Sequence, residues 1–169
     1  MVQKREAELT EAELEEYKHH PELGWAILKE AKGVNALILN AARHHHERID
    51  GSGYPKGLKV KHLPVMVQII SVANKIDKII MDNSNTFELI NQLVEEAREN
   101  KLNPAIVIPF VRHLLRKYVG EKVVLNDDTK GEIVFIFDNE PSQPLLYLTE
   151  SDTFVDLRKN HKLKIVNFV

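Results

Sequence analysis

The chain has 169 residues, of which 43% are hydrophobic and 28% are charged. This composition predicts a globular chain with a sizeable core, in one domain or in one domain with a small appendage, and it excludes a disordered or fibrous protein. The 23 Lys and Arg nearly balance the 25 Asp and Glu, and the formal net charge is −2. No global positive field would therefore draw the chain to DNA or to an anionic membrane surface, so any anionic ligand must be bound locally.

The chain contains no cysteine, which excludes disulfides and thiolate chemistry. The N-terminal segment is too charged for a secretory signal peptide, and no apolar run approaches the roughly 20 residues that a membrane helix needs. We therefore expect a cytoplasmic protein without a membrane segment.

The first 119 residues carry the signals of a bundle of about six helices. Thr10 and Glu13 form a capping-box pattern, which predicts a helix from about Thr10 to His19. Pro21 suits the first turn of a second helix, and Gly33 is placed to end it. A third helix is predicted to deliver three consecutive histidines to its C-terminal end. The third helix and the last two predicted helices span about residues 35–46, 86–99 and 104–118.

Pro64 opens the best-defined helix of the chain. Its predicted core stripe consists of Val65, Ile69, Val72, Ile76 and Ile80. Its predicted solvent face consists of Gln68, Ser71, Lys75, Lys78 and Asp82. Asn74 and Asp77 fall outside that polar face, in the otherwise apolar arc. An unpaired polar group there would cost about 1 to 3 kcal/mol, so each is predicted to have a partner.

From Gly120 the sequence changes to short β-type runs separated by turn-rich segments. The runs span residues 122–125, 132–137, 145–149, 153–157 and 162–169. The sequence therefore predicts a mainly α-helical domain at residues 1–119 and a small β-rich C-terminal extension at residues 120–169.

Adjacent histidines provide the first candidate site. His45 and His46 point about 100° apart on a helix, so both reach one metal only if it lies over the helix end. His20, between the first two helices, and Asn74 are the positions that we expect to join them. Three alternatives stay open. The run His44 to His46 could be a solvated patch or an adventitious metal binder. Residues 50–55 could form only a tight turn. Asn74 and Asp77 could form a core hydrogen-bond pair or local caps.

The string HHERIDGSGYPKGL at residues 45–58 favours the metal site over these alternatives. HPELGWAIL precedes it and PVMVQIISVAN follows it. Together they closely resemble the HD-GYP family of bacterial phosphodiesterases, from about Leu9 to Ile80. The resemblance implies an all-α HD domain that binds two or three metal ions, usually iron or manganese, and hydrolyses cyclic di-GMP in bacterial signalling. The tail from Gly120 resembles, more weakly, a small β extension that some members carry.

The resemblance assigns roles to single residues. His20 matches the metal ligand of the family's H-P-x-x-G segment, and His45 and His46 match its paired histidines. Glu47 and Asp77 are expected to support the metal site without binding the ion. The signature loop borders the substrate cleft and contributes to partner contacts in the family, and its matching residues are Arg48, Asp50, Gly53, Tyr54 and Pro55.

Two departures from the family pattern predict a degenerate metal site. The family's His-Asp pair belongs upstream of Glu8, and the sequence contains no His-Asp dipeptide, so we expect an N-terminally truncated domain. Asn74 stands where the family has a metal-binding Asp, and an amide is a neutral, weaker ligand. Three imidazoles would then hold a single divalent ion or none.

Three hypotheses follow. The first is the C-terminal portion of an HD-GYP phosphodiesterase, inactive as this chain alone. The second is a degenerate domain that acts as a cyclic di-GMP receptor or as a module on which a signalling protein docks at the signature loop. The third is a fragment that folds as a homodimer, because a partner copy would cover apolar surface left exposed.

Overall fold

The computed structural model describes residues 8–81 and 86–169. The chain groups into two compact units, one of residues 1–82 and 99–103 and the other of residues 83–98 and 104–169. The two predicted domains, residues 1–119 and 120–169, follow the change from helices to strands and remain a proposal. The compact units instead place residues 104–119 with the strands. No helix in the described part is long and apolar enough to cross a membrane.

The first unit contains four helices in its described part: α1 (Glu11–Tyr17), α2 (His20–Lys29), α3 (Ala36–His44) and α4 (Val65–Met81). The predicted capping box is present, because the Thr10 hydroxyl and the Glu13 carboxylate each accept a backbone N–H from the other residue. Asn35 caps α3 by accepting from the Ile38 amide at 3.0 Å. Helix α2 ends at Lys29, before Gly33, which has a positive φ of 82° in the following turn.

The second unit joins two helices to a sheet. Helix α5 (Thr86–Arg98) buries one face, and α6 (Pro104–Leu115) continues into a 3-10 helix, Arg116–Tyr118. The predicted core residues of α5 are all buried: Ile90, Leu93, Val94 and Ala97. Five of the described helices bury side chains, one fewer than the predicted count of about six; α1 has seven residues and buries none.

The strands form an antiparallel sheet in the order β4-β3-β2-β1-β5. They are β1 (Lys122–Leu125), β2 (Lys130–Phe135), β3 (Leu145–Leu148), β4 (Thr153–Asp156) and β5 (Ile165–Phe168). Alternate residues along β1, β2 and β3 are buried, as period-2 strands with one covered face require. The prediction of a mainly helical fold with a β-rich C-terminal part is confirmed.

The predicted orientation of α4 is wrong. Val65 and Ile80 of the expected core stripe are 63% and 58% exposed, whereas Gln68 and Ser71 of the expected solvent face are only 5% and 4% exposed. At about 100° per residue the buried arc is rotated by roughly a quarter turn from the apolar stripe. Hydrogen bonds compensate the desolvation of the Gln68 and Ser71 side chains. Gln68 donates to the Leu63 carbonyl at 2.7 Å, and the Ser71 hydroxyl donates to the Val67 carbonyl at 3.0 Å. Asp82 lies outside the described residues.

Candidate metal centre and signature loop

Three histidines from two helices converge on one point. His20 is the first residue of α2, His45 caps the C-terminus of α3, and His46 follows it. The Nε2 atom of His20 lies 3.1 Å from Nε2 of His45 and 3.0 Å from Nε2 of His46. The potential ligand atoms of all three lie within 4.8 Å of one another. The structure thus brings together the three histidines that the sequence singled out.

Backbone carbonyls set the tautomers of two of these rings. Nδ1 of His20 donates to the Tyr17 carbonyl at 2.7 Å, and Nδ1 of His45 donates to the Ala42 carbonyl at 2.8 Å. A carbonyl can only accept, so in the neutral rings the proton lies on Nδ1 and each Nε2 presents a lone pair. Two lone pairs therefore face each other at 3.1 Å. A shared cation would satisfy both, as it does where metal-bound histidines donate their second nitrogen to a carbonyl.

Burial favours the neutral, ligand-competent imidazoles. Burial, assisted by the charges of His45 and Lys78, lowers the pKa of His46 to about 2. Burial also lowers the pKa of His45, although the Ala42 carbonyl works in the opposite direction. The pKa of His44 is lowered by burial as well, and this residue is buried outside the cluster. The run of three histidines is therefore not a solvated patch.

Asn74 and Asp77 have different environments on α4. The Oδ1 atom of Asn74 is buried and has no hydrogen-bond partner among the described residues. A nearby cation or a bound ligand would supply what this oxygen lacks, and its role as a weak ligand stays a prediction. Asp77 is exposed, so the expected buried partner for its carboxylate is not needed, and that prediction is wrong.

The donor set fits one divalent ion. Neighbouring ligand nitrogens about 2.1 Å from an ion lie about 3.0 to 3.4 Å apart, which matches the Nε2 separations of 3.1 and 3.0 Å from His20 to His45 and His46. The grouping of metal-binding side chains contains three imidazoles and no carboxylate within the described ranges. Neutral ligands do not balance the charge of two adjacent divalent ions, so the described residues fit a mononuclear site better than a dinuclear one.

A buried carboxylate holds the signature loop against the end of α3. Glu47 is 1% exposed. Its Oε1 accepts from the Lys56 amide at 2.7 Å, and its Oε2 accepts from the Leu58 amide at 2.8 Å. Both oxygens are thus satisfied by backbone N–H groups beyond the Tyr54–Pro55 peptide, which is cis. Glu47 therefore holds the loop, and its expected support of the metal site stays a prediction.

Gly53 and Tyr54 bring this loop onto the histidines. A Cβ at Gly53 would lie 2.4 Å from the His46 carbonyl oxygen and 2.4 Å from the Arg48 nitrogen, which only glycine avoids. The Tyr54 ring stacks on the His46 ring, with 4.5 Å between centroids and 14° between planes. Asp50 closes the turn by accepting from the amide and the hydroxyl of Ser52 at 2.9 and 2.7 Å. The loop is therefore built onto the candidate metal site.

Sequence reasoning missed an ion pair that joins α2 to α3. Arg43 donates to Glu22 through Nε at 3.1 Å and through Nη2 at 3.0 Å, and its guanidinium lies 4.4 Å from the centre of the Trp25 ring. The hydrogen bond from Arg43 keeps the pKa of the Glu22 carboxyl below its usual value. The partners are 21 positions apart, so no local pattern signals them. The pair joins the two helices whose ends carry His20 and His45.

Comparisons with known proteins identify the family of the chain. The HD domain family model matches residues 1–106. The chain is 30% identical over 131 residues to "Cyclic di-GMP phosphodiesterase PA4108" of Pseudomonas aeruginosa, with 75% of this chain and 31% of that protein covered. It is 26% identical over 170 residues to "Cyclic di-GMP phosphodiesterase PdeB" of Borreliella burgdorferi, with 97% of this chain and 44% of that protein covered.

A solved structure shows the same fold. The HDGYP protein Bd1817 of Bdellovibrio bacteriovorus aligns with a TM-score of 0.55 and 24% identity, over 65% of this chain and 35% of that one. The chain spans less than half the length of the curated relatives named above. The family match extends over more than half of the sequence, and the HHERIDGSGYP segment lies within it. The chain therefore belongs to the HD domain family, within its HD-GYP branch.

Proposed function

We propose that this chain is part of an HD-GYP-type metal-dependent phosphohydrolase, and that His20, His45 and His46 bind one divalent ion. Iron and manganese are the ions that the family resemblance implies, and Asn74 is the weak fourth ligand. The observation that carries the proposal is the convergence of the Nε2 atoms, two of which present lone pairs to each other at 3.1 Å. Imidazole ligands suit Fe and Zn better than Ca, Mg or Mn, so iron fits this donor set better than manganese does.

We further propose cyclic di-GMP as the ligand of this site. The two relatives named above are cyclic di-GMP phosphodiesterases by their names. Arg48, Asp50, Gly53, Tyr54 and Pro55 would border the bound nucleotide. The Arg48 side chain also donates to the Glu47 carbonyl at 3.1 Å, which orients its guanidinium, a group suited to phosphate.

When bound, the ion would lower the pKa of a coordinated water and polarise a phosphoryl oxygen. The chain's own residues orient and shield this chemistry. Tyr54 holds the plane of the His46 ring, and the carbonyls of Tyr17 and Ala42 hold the protons of His20 and His45 on Nδ1. The sequence has no His-Asp dipeptide, and Asn74 offers no charge. We therefore expect that this chain alone does not hydrolyse the nucleotide.

Metal binding is tested by loading the purified chain with Mn²⁺ or Fe²⁺ and measuring bound metal by mass spectrometry. The expected result is about one ion per chain. His45→Gln and His46→Gln should each lower the affinity by at least about tenfold, because each removes one ligand. His62→Gln is the matched control, since His62 is exposed and outside the cluster. Equal losses in all three variants, or no bound metal, would contradict the proposal.

Activity is tested by chromatography of cyclic di-GMP incubated with the metal-loaded chain. No turnover is expected. Addition of an upstream His-Asp segment together with Asn74→Asp should produce hydrolysis that depends on manganese or iron, because two carboxylates would complete the ligand set. A repaired protein that binds no metal would overturn the phosphohydrolase proposal.

A degenerate domain that serves as a receptor or docking module is the second candidate, favoured by the absence of a carboxylate from the described histidine cluster. Cyclic di-GMP that binds without turnover, even in the repaired protein, would support a receptor. Absence of both metal and nucleotide binding would favour docking of a signalling protein on the loop.

A further inference from the structure

The second unit contains a cavity of about 340 Å³ that shares no residue with the histidine cluster. One face of α5 forms a wall of the cavity, where Phe87, Asn91, Val94, Glu95 and Arg98 recur at helical spacing. The turn at Ser142 and Gln143 and the segment that leads into β5 complete the lining. The volume falls at the lower end of the range for small-molecule sites, about 300 to 1,000 Å³.

The charges at this cavity favour an anion. Arg98, Lys164 and the His161 imidazole line it, and Glu95 is the acidic residue among the lining residues. Arg98 and Glu95 are 3.8 Å apart, and both are half-exposed or more, so this pair is loose and leaves the guanidinium available. Lys164 is fixed through its backbone, because its amide donates to Asn126 Oδ1 at 2.9 Å and its carbonyl accepts from the Asn126 amide at 3.0 Å.

One polar atom in the lining lacks a hydrogen-bond partner among the described residues. The Oε1 atom of Gln143 is buried without a hydrogen bond among the described residues. The turn that carries it is ordered, since the Gln143 amide donates to the Glu140 carbonyl at 3.0 Å. Rotation of this side-chain amide toward a ligand would therefore cost no existing hydrogen bond at Oε1. A ligand with an N–H or O–H donor would satisfy the amide oxygen.

The floor of the cavity is apolar. Phe87, Val94, Leu157 and Ile165 line it and are buried. The Phe87 ring also packs on Phe168, with 4.7 Å between centroids, which keeps the floor in place. An apolar floor, a cationic rim and an unpaired amide together match a ligand that has a flat body, a donor on that body and an anionic group.

We propose that this cavity binds a small phosphate-bearing molecule of the mononucleotide class. Its phosphate would contact Arg98 and Lys164 at the rim. Its heterocycle would cover the apolar floor and present an N–H to Gln143.

The experiment is isothermal titration calorimetry of the full chain with GMP, guanosine and inorganic phosphate in parallel. GMP is expected to bind more tightly than either fragment, because only GMP engages the rim and the floor together. Arg98→Ala and Lys164→Ala should each weaken GMP binding by about tenfold or more, since each removes a charge-assisted contact. Lys130→Ala is the matched control, because Lys130 is exposed and lies outside the cavity lining.

Each outcome bears on the proposal. Inorganic phosphate that binds as tightly as GMP would reduce the site to a general anion site and overturn the mononucleotide class. Equal loss in the Lys130→Ala control, or no binding of GMP, would overturn the site itself. His46→Gln should leave GMP binding unchanged while it lowers metal content. If His46→Gln abolishes GMP binding, the nucleotide binds at the histidine cluster and the cavity proposal fails, whatever the outcome for metal.

Discussion

Helices α4 and α5 bury their faces in different ways. The buried face of α5 consists of apolar side chains, Phe87, Leu89, Ile90, Leu93, Val94 and Ala97. Helix α4 buries Gln68 and Ser71 among its apolar residues and leaves Val65 and Ile80 exposed. The buried polar groups of α4 are satisfied by carbonyls and by the Asn103 side chain, which donates to Gln68 at 2.7 Å. Apolar area therefore orients α5, whereas specific hydrogen bonds help to orient α4.

The largest effect is expected from a cavity in α5. Ile90 is fully buried, so Ile90→Ala should lower the free energy of unfolding of the second unit by about 2 to 5 kcal/mol. Urea denaturation monitored by circular dichroism measures this change. A loss below about 1 kcal/mol would mean that the apolar face of α5 does not carry the stability assigned to it.

The next largest effect is expected at the signature loop. In Glu47→Gln, an NH₂ group replaces one acceptor oxygen and faces a backbone N–H of Lys56 or Leu58. The loss of a charge-assisted hydrogen bond should cost about 1.5 to 3 kcal/mol. Faster hydrogen exchange of the Lys56 and Leu58 amides would localise the effect. Glu30→Gln, at an exposed carboxylate of the same unit, is the control and should leave those amides unchanged.

A smaller loss is expected from the polar face of α4. Gln68→Met keeps a similar side-chain length but removes the hydrogen bond to the Leu63 carbonyl and the one from the Asn103 side chain. The expected cost is about 1 to 2 kcal/mol, measured by the same denaturation. A neutral or stabilising result would show that apolar packing suffices to orient α4, as it does α5.

The smallest effect is expected at the exposed stripe of α4. Ile80→Ala makes the same change as Ile90→Ala, but at a side chain that is 58% exposed. The unfolding free energy should change by no more than about 0.5 kcal/mol. A loss of 2 kcal/mol or more would show that this stripe is covered in solution, as a homodimer would require, and light scattering would then detect the dimer.

Local patterns in the sequence predicted much of the candidate site. The capping box at Thr10 and the proline near the start of α2 mark where α1 and α2 begin. The start of α2 places His20 at a helix end, and His45 lies at the opposite, C-terminal end of α3. The glycines and proline of the signature loop gave the family resemblance. The period-2 runs after Gly120 predicted the strands, with β1 at the expected residues, because alternation depends only on neighbours in the chain.

Other features were decided by contacts between residues distant in the chain. The rotation of α4 depends on Asn103, 35 positions after Gln68, and the link between α2 and α3 depends on Glu22 and Arg43, 21 positions apart. The stacking of Tyr54 on His46 depends on how Glu47 folds the loop back. Hydrophobic periodicity reports which face of a helix is apolar. It does not report which polar side chains will find partners, and only the tertiary structure brings those partners together.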